Sequence, residues 1–228
     1  MGAVSGASPD AAPSGAVRAV ELATRGNRTS CAATVEKKLI KLAEGPLAAA
    51  VLAGCGTPQA PVTPGAVKVA AAENFWGNIA AQVGRRHARV TSILSSPAAD
   101  PHLYESDVAS ALAVAQARLV IANGAGYEKF MCQLLGATVN AGRVALSVQV
   151  VLGSYGPDVN PHFWYDVPRV PRVASAIEAA LARLDPPDAK AFSANLAAFD
   201  VSLRPVDAVI APIRRRYPGA PVGNSKTS

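Results

Sequence analysis

Two histidines that each follow a proline are the residues best equipped for chemistry: Asp100-Pro101-His102 and Asn160-Pro161-His162. A neutral imidazole is the commonest side-chain metal ligand, and a proline stiffens the loop that carries it. The two motifs lie far apart along the chain, so separate loops would have to converge for both rings to hold one cation. Spacing alone leaves the alternative equally open, namely two unrelated loop histidines that cap helices or hydrogen-bond locally. The third histidine, His87, sits among Arg85, Arg86 and Arg89. Those charges repel a cation, and His87 is expected at the surface. The cysteines Cys31, Cys55 and Cys132 contain no C-x-x-C pair, so neither a thiol zinc site nor a redox dithiol is implied. Cys132, in an apolar helical stretch, is expected to be a small buried hydrophobe.

Catalytic arrangements are weaker. Gly124-Ala125-Gly126 follows an apolar run as a dinucleotide fingerprint would, but Lys129 stands in place of the third glycine and no acid follows at the required distance. Glu73, Glu105, Asp107 and Asp166 are acids that nothing in the sequence places together, and no Gly-x-Ser-x-Gly elbow occurs. The net charge of +6 is spread out, and only 5% of residues are aromatic. None of the aromatics interleaves with the arginines as a base-stacking platform would, so nucleic acid is not an expected partner.

The elements that must position the histidines alternate. Val67 to Ala72 reads as a strand. Trp76, Ile79, Ala80 and Val83 then mark one face of a helix that Gly84 ends. Arg89 to Leu94 reads as a second strand, and Ser106 as the cap of a helix whose inner face carries Val108, Leu112 and Ala115. Leu119 to Ala122 is a third strand, Tyr127 to Leu135 a helix, and Val144 to Leu146 a fourth strand. Strands separated by helices imply a parallel sheet with crossover helices, and ligands bind beyond the carboxyl ends of such strands. Both Pro-His motifs follow strands, which puts them on that edge. Val170, Val173, Ile177, Leu181 and Leu184 mark a further helix, ended by Asp185-Pro186-Pro187. A narrow seam follows: Leu196, Phe199, Leu203, Val206, Ile210, Ile213 and Tyr217. It belongs to one long helix expected to pack on its own lobe, with a coiled-coil dimer as the alternative. Pro205 and Pro212 each cost ~3 kcal/mol inside a helix, so a kink or two collinear helices are expected.

Upstream, residues 37–55 read KKLIKLAEGPLAAAVLAGC. A lysine flank, a short apolar run and small residues before Cys55 have the layout of a secretory signal. An apolar run from Leu47 to Gly54, at ~1.5 Å per residue, is too short for ~30 Å of hydrocarbon. Leu52-Ala53-Gly54-Cys55 resembles a bacterial lipobox, in which the cysteine becomes the lipidated first residue. Glu44 departs from that pattern. Residues 1–34 are rich in Ala, Gly, Ser and Pro without a periodic apolar face, as expected of a disordered extension or of a start assigned upstream of true initiation near Val35.

Three words occur in one order: Asp100-Pro101-His102-Leu103-Tyr104-Glu105, Asn123-Gly124-Ala125-Gly126-Tyr127-Glu128, and Asn160-Pro161-His162-Phe163-Trp164-Tyr165-Asp166. Together they resemble the metal-binding lipoproteins that feed zinc and manganese ABC importers, over about Val67 to Val222. The resemblance implies two α/β lobes joined by a long helix, with the metal between them. It implies His102 and His162 as ligands from the first lobe, and Zn²⁺ or Mn²⁺ as the transported ligand. It further implies a monomer, exported or periplasmic, held by the Cys55 lipid on the outer face of the cytoplasmic membrane. A membrane permease would be the partner, and no catalysis is involved.

The expected organisation is an extension at 1–34, a lipoprotein signal at 35–55, a tether at 56–65 and a Rossmann-like metal-binding α/β lobe at 66–166. A helical linker at 167–218 follows, and 219–228 begin a second lobe that is otherwise missing. Where the family's third ligand would lie, this chain has Asn224-Ser225-Lys226-Thr227-Ser228. An ammonium offers no lone pair and repels a divalent cation. Two imidazoles are short of a closed zinc site, so weak, poorly selective binding is expected. No histidine lies between residues 103 and 161, so the His-rich loop of many zinc-specific relatives is missing, which leans toward manganese or an unspecialised site. The alternatives are a truncated surface lipoprotein that no longer transports, and a small nucleotide-binding α/β enzyme.

Overall fold

The computed structural model describes residues 62–96, 100–101 and 103–219. The readings made on residues 1–34, on the signal ending at Cys55, on most of the tether, on His102 and on the strand from Ala220 lie outside the described residues.

Four strands, β1 (Val67–Glu73), β2 (Ala88–Leu94), β3 (Leu119–Ala122) and β4 (Val144–Ser147), form one sheet in the order β2-β1-β3-β4. All three pairings are parallel, so each connection is a crossover. Helix α1 (Asn74–Gly84) joins β1 to β2, α2 (Val108–Gln116) joins β2 to β3, and α3 (Lys129–Ala137) joins β3 to β4. The α/β class, the sheet and its crossover helices stand as expected.

Strands covered on both faces read as continuous apolar runs, and β3 is buried at every residue. Along β1 the pleat alternates: Val67, Val69 and Ala71 enter one core, Ala70 and Ala72 the other. The first core takes α1 and the last two helices, α5 (Val170–Leu184) and α6 (Ala189–Arg216); the second takes α2 and α3. A Cβ on Gly77 would fall 2.1 Å from Ser92 Oγ, so a glycine is what lets α1 lie this close to β2.

Four readings need correction. His87 is not a surface residue: it is 8% exposed, with Nδ1 2.5 Å from Asp188 Oδ2 and its ring edge-on to Phe192. Arg85, at φ 43°, turns the chain there, and Asp188 supplies the polar partner that a buried imidazole needs. Helix α2 buries Ser110 and Val114 and leaves Val108 85% and Leu112 55% exposed. Its cap is Asp107, not Ser106, since Ser110 N donates to Asp107 Oδ1 at 2.8 Å. The Tyr104 and Ser110 hydroxyls, 2.8 Å apart, then set which face turns inward. Cys132 is half-buried rather than buried.

The fourth concerns α6, one helix of 28 residues running through Pro205 and Pro212 rather than two collinear ones. The carbonyls that lose a helical donor belong to Val201 and Ala208, both exposed residues, so water can satisfy them. Its first half packs through Phe192, Leu196, Phe199 and Leu203. Val206, Ile213 and Tyr217 stay 43%, 55% and 55% exposed, so the seam packs on this lobe only in part.

The chain enters at the amino edge of the sheet, where Thr63 gives its N–H and its hydroxyl to Arg86 O at 2.9 and 3.0 Å. Among the described residues no helix is long and apolar enough to cross a membrane.

Candidate functional site

The strand order reverses between β1 and β3, and at such a switch point the crossovers leave in opposite directions and open a crevice. Glu73 ends β1 there, and Asn123 follows β3. From β4 the chain passes through α4 (Val148–Leu152), which the sequence pattern does not anticipate, then a loop, and reaches His162 just before a 3₁₀ turn, Phe163–Tyr165.

His162 is exposed. Asn160 Oδ1 accepts from the His162 backbone N–H at 3.0 Å and lies 2.6 Å from Nδ1. An atom accepting a backbone N–H is the amide oxygen, so Nδ1 carries the proton and Nε2 keeps its lone pair. Fixing a tautomer in this way is how proteins prepare a histidine for a metal. Phe163 is buried and anchors the turn.

Aromatic rings hold the imidazole in place. Trp164 lies 5.1 Å and Tyr127 5.7 Å from the His162 ring, centroid to centroid, and Trp164 stacks on Phe75 at 4.0 Å. Burial pushes the Tyr127 phenol up, and the charges of Glu73, Glu128 and Asp100 push it further. Tyr127 touches the histidine of the second Pro-His motif. His102 itself lies outside the described residues, and its pairing with His162 stays an expectation. Cys55 lies outside them as well. Among the described residues no three His, Cys, Asp or Glu side chains are grouped to hold a metal. An open cleft of about 630 Å³ borders His162, with Tyr165, Asp166 and, from the far end of α6, Arg214 on its walls.

Of the acids weighed from sequence, Glu105 and Asp107 are exposed and Asp166 is half-buried. Glu73 does pair, with Glu128. They are 2% and 5% exposed, and both Glu73 oxygens and Glu128 Oε2 lack a hydrogen-bond partner. Burial pushes both carboxyls up, and for Glu73 the Glu128 charge adds to it. Glu128 Oε1 accepts from Gly124 N at 2.9 Å, and Gln149 Oε1 from Ala125 N at 2.8 Å. The N–H groups a dinucleotide phosphate would need are thus already engaged, which removes the support for a nucleotide site.

Sequence reasoning missed the Asn160 clamp, the aromatic contacts and the carboxyl pair. Asn160 was within reach, because an Asn two residues before a histidine can form an Asx turn with it. The contacts among Phe75, Tyr127 and Trp164 carry no signal before folding brings them together.

Residues 69–223 match the family described as ZnuA, zinc-uptake complex component A, periplasmic. The chain belongs to that family. The zinc-uptake family match bears out the expectation of a binding protein rather than an enzyme. The manganese-binding lipoprotein MntA of Bacillus subtilis (strain 168) is 27% identical over 163 residues, which are 68% of this chain and 53% of that protein. The periplasmic zinc-binding protein TroA from Treponema pallidum superposes with a TM-score of 0.58 at 20% identity, covering 68% of this chain and 57% of that one. A Mn-bound periplasmic metal-binding protein from Candidatus Liberibacter asiaticus gives 0.56 at 22% identity, over 65% and 56% of the two chains. These two structural likenesses show the fold alone. The chain spans about half the length of the curated relatives it matches.

Proposed function

We propose that this chain captures Zn²⁺ or Mn²⁺ outside the cytoplasmic membrane and delivers it to the permease of an ABC importer. His162 and His102 would be the ligands contributed by this lobe, and Cys55 the lipid-bearing residue that keeps the protein at the membrane surface. The observation that carries the reading is the presentation of His162 at the carboxyl edge of the sheet, with Asn160 holding its tautomer inside the family match. Family membership and the names of the relatives support both metals. Imidazole serves zinc and manganese alike, and selectivity depends on the other ligands.

Two imidazoles leave coordination positions to be filled from elsewhere, and an open cleft lies beside His162. Metal titration tests the proposal. Zn²⁺ or Mn²⁺ should raise the melting temperature, and His162→Ala and His102→Ala should each remove the rise. An unchanged melting temperature in the wild-type chain would refute capture by this lobe and favour the alternative of a surface lipoprotein that does not transport.

A further inference from the structure

We propose that Asn123 is the positioning residue that locks the His162 loop onto the sheet. The inference rests on the metal-capture reading and adds to it the side chain that decides where the imidazole stands. A fully buried carboxamide is unusual and is tolerated only when its polar atoms are bonded, and Asn123 is 0% exposed. Its Oδ1 accepts from Trp76 Nε1 at 3.0 Å, and its Nδ2 donates to Pro161 O at 2.8 Å and to Gly124 O at 3.2 Å. Its own carbonyl accepts from Gln149 N at 2.9 Å. The indole can only donate, so the atom facing Trp76 is the oxygen and the NH₂ group must face Pro161.

Pro161 has no N–H, so its carbonyl is the hydrogen-bonding group its backbone offers, and it immediately precedes His162. The bonds from Asn160 are internal to the loop. They set the tautomer and the rotation of the ring but not the place of the loop on the sheet. Stacking of Trp164 on Phe75 holds the loop close but, like aromatic contacts generally, tolerates sliding. The Asn123 bond is directional and joins residues 38 apart, tying α1, the end of β3 and the histidine loop through one side chain.

The test uses the full chain and nuclear magnetic resonance, without metal first. In the wild-type protein the Asn123 side-chain NH₂ should be protected from solvent exchange. Rapid exchange would overturn the proposal without any variant being made. Asn123→Leu keeps the branched shape and removes both the acceptor for Trp76 and the donor to Pro161. It should raise the mobility of residues 160–164 and shift the His162 ring signals while the sheet amides stay in place. Zn²⁺ alone should then bind about tenfold or more weakly, the usual effect of removing such a support. A folded Asn123→Leu chain with unchanged loop dynamics and ring signals refutes the role of Asn123. A wild-type chain that binds no Zn²⁺ refutes metal capture instead, and the loop measurements still decide on Asn123.

Discussion

Replacing Glu73 by glutamine takes away a proton that the folded protein holds and the unfolded chain releases. Glu73 is buried at the end of β1 beside Glu128, and its carboxyl is pushed from the ordinary 4.5 up to about 10. Above pH 4.5 the unfolded chain gives up this proton while the folded chain keeps it. Stability therefore falls as pH rises, from about 4.5 until the folded carboxyl itself ionises near 10. One proton of difference costs about 1.4 kcal/mol per pH unit, so between about pH 6 and about pH 8 the loss is about 2.7 kcal/mol. In a domain of this size that lowers the melting temperature by about 5–10 °C. Glutamine has no proton to lose. Thermal melts of wild type and Glu73→Gln, followed by circular dichroism across that range, read the difference, in which groups remote from the pair largely cancel while Glu128, which interacts with Glu73, contributes to it. If the two proteins lose stability in parallel, Glu73 is already ionised in the folded state, and the description of the carboxyl pair is wrong.

Asn160→Ala frees the His162 tautomer and should weaken Zn²⁺ binding about tenfold with little change in unfolding free energy, as titration calorimetry beside chemical denaturation would show. Equal affinity would mean that the 2.6 Å contact does not prepare the ring. Gly124→Ala puts a Cβ at a residue with φ +84° and within 2.9 Å of Gln149 Cβ, and should cost about 1–3 kcal/mol in urea unfolding. A variant as stable as wild type would show that the turn after β3 is not left-handed there.

The strands and the loop words were legible because short apolar runs and X-Pro-His motifs are local signals. The β3 limits, Leu119–Ala122, agree with the pattern to the residue. What escaped depends on partners distant in the chain. Nothing near His87 announces that Asp188 will meet it, so three neighbouring arginines point to a surface that folding removes. Val108 and Leu112 have the spacing of a core face, but a tyrosine hydroxyl reaching Ser110 turns the opposite side of α2 inward. The long apolar seam of α6 shows that a surface will be covered. It does not show which half this lobe covers. At the site, the histidine was legible as a type in a motif, whereas its support by Asn160 and the rings around it is a matter of three-dimensional placement.

The parallel sheet gives the molecule a direction. The incoming chain is pinned at one end by Thr63 against Arg86, while His162 stands past the other end of the strands. With the lipid proposed for Cys55, the tether would join the lobe at the end of the strands opposite His162.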